Sequence, residues 1–140
     1  MKVMKFGGSS VGNPERIKNV IKIINDSLFT NNILIVVFSA FQGVTDELIK
    51  LGNKATSGVF PEDDFNTLTK RHMDAITELV AIKYRSKAIA DVKIMLNEIE
   101  DILKGISYIK DLTRKTSDVL LSYGERLSAY IIYNSMKQYE

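Results

Sequence analysis

Two short apolar runs, Lys2–Phe6 and Ile33–Phe38, each stop at a cluster of small residues, with one amphipathic stretch between them. No other feature constrains the fold as much. Lys2–Phe6 reads as a strand ending at Gly7-Gly8, followed by the small-residue loop Ser9-Ser10-Val11-Gly12. Asn13-Pro14-Glu15 then opens a helix, with Asn as N-cap, Pro at the first helical position and an acid in the first turn. Its apolar face is Ile17, Val20, Ile21, Ile24 and Leu28. Asn31-Asn32 marks a turn. Ile33–Phe38 is continuous and rich in β-branched residues, the pattern of a strand buried on both faces of a parallel sheet. The opening segment therefore predicts a βαβ unit, whose crossover is expected to be right-handed.

Ser39–Gly43 is a second small loop after a strand, and Val44, Leu48, Leu51 and Ala55 give a modest helix. Thr56–Pro61 is a connection. Two long helical patterns follow, over Glu62–Lys83 and Ser86–Lys104. The second carries a heptad-like seam of Ile89, Val92, Leu96, Ile99, Leu103 and Ile106. The seam fits a helical hairpin packed on itself or on the sheet; the competing reading is a seam for a partner helix. Gly105–Lys115 reads as a connector, and Ser117 can cap a final helix running nearly to Glu140. Two strands make a poor sheet, since open sheets usually have about four to six. The last residues, Lys137-Gln138-Tyr139-Glu140, lie inside a helical pattern without a stop signal. The expectation is the N-terminal portion of a longer α/β domain, with more strands beyond.

Composition removes several chemistries. The 140 residues include no Cys, which excludes disulfide scaffolds, Cys-ligated metals and thiol catalysis. A single His argues against a His-rich metal site or a His-based triad. The net charge of +2 gives no general reason to expect nucleic acid. Met1–Phe6 lacks the apolar stretch of a signal peptide, and the apolar run Ile33–Phe38 is far too short to span a bilayer. A soluble cytoplasmic protein is the expectation.

In open α/β sheets ligands bind off the carboxyl ends of the strands, where both small-residue loops fall. Gly7-Gly8 lets backbone N–H groups approach an anion, the following helix adds a partial positive charge, and Lys5 at the strand end can supply a full one. That set suits a polyphosphate, although the same residues could serve only as a tight strand-to-helix turn. The phosphate-binding G-x-x-x-x-G-K-[ST] and the dinucleotide fingerprint G-x-G-x-x-G are both absent. Ser39, Gln42 and Thr45 can hydrogen-bond a polar ligand or act as loop and cap residues. Glu125 shares a helical stripe with Leu121, Ala129 and Ile132, where a carboxylate needs a partner. An internal Lys or Arg, or a ligand ammonium, would serve. His72, in line with Leu68 and Ile76, reads as a core-edge residue. Tyr130, Tyr133 and Tyr139 read as packing and surface residues. Glu62-Asp63-Asp64 reads as a helix N-terminus rather than a metal site.

Three segments resemble the motifs of aspartokinases. Val3-Met4-Lys5-Phe6-Gly7-Gly8-Ser9-Ser10-Val11 is similar to the opening K-F-G-G-[ST]-S. Val36-Val37-Phe38-Ser39-Ala40-Phe41-Gln42-Gly43-Val44-Thr45-Asp46 is similar to V-V-x-S-A-x-x-G-[IV]-T-[DN]. Ser122-Tyr123-Gly124-Glu125-Arg126-Leu127-Ser128 is similar to G-E-x-[LM]-S. The early start and Leu103-Lys104-Gly105-Ile106-Ser107 look most like the aspartokinase half of enzymes fused to homoserine dehydrogenase. The resemblance implies an α/β amino-acid-kinase (carbamate-kinase-like) fold, a three-layer αβα sandwich, here its N-terminal portion with a helical hairpin insertion. It implies phosphoryl transfer from MgATP to L-aspartate, with Mg2+ bound mainly through the nucleotide phosphates, and a homo-oligomer in the complete protein. By resemblance, Lys5 neutralises the transferred phosphoryl group, Gly7, Gly8 and Ser9 hold phosphate oxygens, and Ser39 and Thr45 contact aspartate or the phosphoryl group. Glu125 binds the aspartate α-ammonium. The family's later half, with the base pocket, a further glycine loop and regulatory ACT domains, has no counterpart among these residues. The alternatives are a kinase of another amino-acid carboxylate, such as glutamate or acetylglutamate, and a non-catalytic helical interaction module.

Overall fold

The computed structural model describes residues 1–30 and 33–139; the expected turn at Asn31-Asn32 and the final Glu140 lie outside them. Strand β1 (Lys2–Phe6) leads through the glycine loop to helix α1 (Pro14–Leu28), and β2 (Leu34–Phe38) returns parallel to β1 in the register Lys2 to Leu34 through Phe6 to Phe38. The predicted helix start holds: the Asn13 side chain accepts from the Arg16 N–H at 2.9 Å, with Pro14 at the first position. At the other end of α1, Ser27 is buried and Leu28 is half exposed, so the apolar face stops at Ile24.

Four helices follow: α2 (Val44–Ala55), α3 (Glu62–Leu79), α4 (Ile82–Ile109) and α5 (Arg114–Met136), then a short 3-10 turn, Lys137–Tyr139. The break between α3 and α4 falls earlier than the periodicity predicted. Val80 is buried in an extended conformation, and Arg85 donates to its carbonyl from Nε at 3.2 Å and from a terminal nitrogen at 3.0 Å. Helix α4 runs through Gly105, expected as a connector, because Leu103 and Ile106 on either side are buried. It ends at Lys110, in the left-handed region at φ 56. Thr113, not Ser117, caps α5, its hydroxyl accepting from the Thr116 N–H at 3.1 Å.

The core lies among the helices. Val92, Leu96, Ile99, Leu103 and Ile106 are fully buried and Ile89 partly so, with α4 packed on α5, α3 and α2. The heptad-like seam is consumed inside the molecule, which overturns the partner-helix reading. One sheet face, through Phe6, Leu34, Val36 and Phe38, packs against this core. The other does not: Val3 is 60% exposed, Ile35 47% and Val37 46%. Strand β2 was expected to be buried on both faces, but among the described residues only one side of the sheet carries a helical layer. No described helix is long and apolar enough to cross a membrane.

Candidate functional site

Both strands end in loops built alike, with a buried apolar anchor under an accessible polar tip. In the first loop Val11 is the anchor, fully buried, and Ser9 is exposed. The Ser10 and Val11 N–H groups donate to the Gly7 carbonyl at 2.9 and 3.3 Å. This leaves the Gly7, Gly8 and Ser9 amides with no acceptor among the described residues. From α1, Arg16 donates to the Ser9 carbonyl at 2.8 Å and fixes the loop from behind. Three successive free amides beside a helix N-terminus can receive an anion.

In the second loop Ala40 and Phe41 are the buried anchors. Phe41 stacks on His72 of α3 with ring centroids 5.4 Å apart. His72 is in the core rather than at its edge. Its Nδ1 lies 2.8 Å from the Leu68 carbonyl and its Nε2 is buried without a hydrogen-bond partner among the described residues. Burial pushes its pKa down to about 4, with the Arg71 charge acting the same way and the Leu68 carbonyl opposing. Gly43 sits at φ 84, a left-handed conformation that favours glycine, and lets the chain turn directly into α2. Thr45 is exposed on the first turn of that helix.

The two loops touch, and the third motif touches the second loop. A Cβ on Gly8 would lie 3.2 Å from the Ala40 carbonyl oxygen, and one on Gly12 would collide with Gln42 Oε1 at 2.6 Å. On α5, the Ser128 hydroxyl donates to the Ser39 carbonyl at 2.6 Å, and a Cβ on Gly124 would fall 2.9 Å from Ala40 Cβ. Residues more than eighty positions apart in sequence are thus locked together at the carboxyl ends of the strands. The Ser39 N–H also donates to the Phe6 carbonyl at 3.0 Å, immediately after Lys5.

Each predicted site residue can now be placed. Gly7, Gly8, Ser9, Ser39 and Thr45 lie on the two touching loops and the first turn of α2. Lys5 is exposed on the uncovered sheet face, paired in register with Val37. Glu125 is exposed as well, which corrects the expectation of a buried carboxylate. The buried stripe of α5 is Leu120, Gly124, Leu127 and Ile131, and Glu125 stands one residue off it. Among the described residues neither Lys5 nor Glu125 has an ion-pair partner. The acidic run at Glu62-Asp63-Asp64 is the first turn of α3, with Asp64 held by Lys50 at 3.0 Å and by Lys54; those two cations hold its carboxyl below the usual range.

A cleft of about 400 Å³ opens between α1 and α3, with Gly12, Phe41 and Arg71 among its walls and none of the predicted site residues. Sequence reading missed Arg16, Arg71 and the bond made by Ser128. The first two carry no local signature, while Ser128 stands inside a motif.

Comparison with known proteins decides the family. The amino acid kinase family profile matches residues 1–140. The chain belongs to the amino acid kinase family. Among curated relatives, Aspartokinase 1, chloroplastic, of Arabidopsis thaliana is 37% identical over 138 residues, covering 92% of this chain and 22% of the relative. The bifunctional aspartokinase/homoserine dehydrogenase of Buchnera aphidicola is 29% identical over 135 residues, covering 94% of this chain and 16% of the relative. The chain therefore spans about a fifth of the length of the curated relatives it matches. The crystal structure of E. coli aspartokinase III in complex with lysine and aspartate superposes with a TM-score of 0.80 over 98% of this chain and 29% of that one, at 20% identity. A second structure of that enzyme holds aspartate and ADP. These superpositions show the fold.

Proposed function

We propose that the chain is the N-terminal part of an aspartate kinase, which transfers the γ-phosphoryl group of MgATP to the β-carboxylate of L-aspartate. The observation that carries this reading is the convergence of three separated motifs at the strand ends, tied by the Ser128-to-Ser39 bond and the close fit of Gly124 on Ala40. A carboxylate oxygen of the acceptor attacks the γ-phosphorus, the bond to ADP breaks, and an acyl phosphate forms. The acceptor supplies the nucleophile, so the protein's work is positioning and charge neutralisation. Lys5 neutralises charge on the transferred group, and the open amides of Gly7 and Gly8, with Ser9, receive phosphate oxygens. Ser39 and Thr45 contact aspartate or the phosphoryl group, and Glu125 binds the α-ammonium.

Exposure suits these roles. A side chain that must meet a ligand is accessible before the ligand arrives, and the Glu125 carboxylate, exposed and without an ion-pair partner among the described residues, is open to an ammonium. Among the described residues no group of three or more His, Asp or Glu side chains is placed to hold a metal ion. In this reading Mg2+ enters with the nucleotide, held by its phosphates. The uncovered sheet face and the relatives' greater length support a longer kinase domain that supplies the nucleotide-base pocket. The reading extends to a cytoplasmic homo-oligomer in the complete protein.

The test is acyl phosphate trapping with hydroxylamine on the complete kinase, with aspartate, glutamate and N-acetylglutamate as acceptors. Product from aspartate alone is expected. In Glu125→Ala, the KM for aspartate should rise at least tenfold, roughly the loss of one charged hydrogen bond, and the KM for ATP should stay within about twofold. The reverse pattern rejects the role given to Glu125, and a preference for N-acetylglutamate rejects aspartate as the acceptor.

A further inference from the structure

Arg71 lies outside every motif, yet it grips the second loop. One terminal nitrogen donates to the Gln42 carbonyl at 2.6 Å and the other pairs with Glu47 of α2 at 3.0 Å. These contacts straddle Gly43, the residue at φ 84 where the loop turns into the helix that carries Thr45. A guanidinium is a planar fork, so two simultaneous bonds fix direction as well as distance. In a trans peptide the C=O and the next N–H point in opposite directions. Pinning the Gln42 carbonyl therefore also aims the Gly43 amide, which has no acceptor among the described residues. The neighbouring residue, His72, is fully buried and stacks on Phe41 of the same loop. Consecutive residues of α3 thus hold the loop twice, by its backbone and by its buried ring. The Gln42 side chain also lies against Gly12, so its placement bears on the first loop as well.

We infer that Arg71 is a positioning residue for the acceptor half of the site, holding the loop between β2 and α2 in the form that presents Ser39 and Thr45. This rests on the aspartate kinase reading. An ordinary surface ion pair would contribute little. Here the partner that matters is a backbone carbonyl in a loop two residues from the helix turn bearing Thr45. Arg16 holds the first loop in a comparable way, but from the helix that loop itself opens. Arg71 reaches the second loop from another element, 29 residues on.

The experiment is steady-state kinetics of the complete kinase, wild type and Arg71 variants, with folding checked by circular dichroism. In Arg71→Ala the KM for aspartate should rise about tenfold, as for one lost charge-assisted bond, while kcat and the KM for ATP stay within about twofold. Arg71→Lys keeps the charge and one of the two bonds, and should raise the aspartate KM about threefold. Glu47→Gln leaves the carbonyl bond intact and should stay within about twofold, the scale of an ion pair that solvent still screens. A merely structural arginine would lower the yield of folded enzyme and its maximal rate with both KM values unmoved; that result overturns the inference. If Arg71→Ala does not fold, Arg71→Lys decides by the same ratio. Wild-type enzyme inactive on aspartate but active on another carboxylate would sink the functional reading alone, and the KM split measured with that acceptor would then decide Arg71 separately.

Discussion

The helical body and the strand-end region of this molecule are built on opposite terms. In the body, α4 presents Val92, Leu96, Ile99 and Leu103 to its neighbours with almost no exposure, and none of those side chains has reactive chemistry. At the strand ends Lys5, Ser9, Thr45 and Glu125 are exposed and Ser39 is partly buried. What is buried there is small or apolar, Val11, Ala40, Phe41 and Gly124, together with Ser128, whose hydroxyl is taken up by the Ser39 carbonyl. The contrast teaches a division of labour. Burial energy is collected in the helices, where it asks nothing of function, and spent on fixing backbone where function needs it. The two regions should therefore respond to substitution in different currencies, stability for one and turnover for the other.

The largest expected effect lies in the body. Leu103→Ala removes a fully buried side chain and should lower the unfolding free energy by about 2–5 kcal/mol. Denaturant melts of the 140-residue chain would measure it. A cost below about 1 kcal/mol would mean the helical core is not what holds the molecule together.

Next in size is a pH effect from His72. Its folded pKa of about 4 lies below the ordinary 6.5. The unfolded chain therefore binds a proton that the folded one refuses, and stability falls as pH drops through the window between those values. The fall is roughly 3 kcal/mol, complete below the folded pKa. In His72→Phe, which retains a ring against Phe41, most of that slope should disappear, leaving at the acid end the part due to Asp64 and Asp91, whose carboxyls are held below their ordinary range. A wild-type-like slope in that variant would remove His72 as the cause.

The smallest effect in free energy is the most visible in function. Lys5→Ala in the complete kinase should cut turnover by at least about a hundredfold, the scale of one lost transition-state donor. Its melting should be unchanged within about 0.5 kcal/mol, as for an exposed side chain with no ion-pair partner among the described residues. A loss of turnover under about threefold would blur the distinction between the two regions and reject the role given to Lys5.

Much of the strand-end region could be read directly from residues. The two loops announce themselves because small residues interrupt apolar runs, and the Asn13-Pro14 start of α1 uses local chemistry that acts within one turn. The helical boundaries were harder. The α3–α4 break has no glycine or proline at Val80-Ala81; it depends on Arg85 reaching back to a carbonyl, which no periodic pattern contains. Gly105 gave a false stop because burial of its neighbours outweighs its weak helix propensity. Neighbours four residues away place Glu125 on an apolar stripe, whereas the packed stripe of α5 runs through Gly124, one residue off it. Arg71 was invisible for a simpler reason: its partners are 24 and 29 residues away.

The missing side chain at Gly124 has a reach beyond packing. With a methyl carbon there, the last long helix could not approach Ala40 without displacement, since the gap would be only 2.9 Å. One absent carbon thus acts as a gauge block, setting the spacing between the segment that carries Thr45 and the one that carries Glu125. A lineage that exchanged Gly124 for alanine would have to shift one segment against the other, so the spacing between them is set at a position with no functional group of its own.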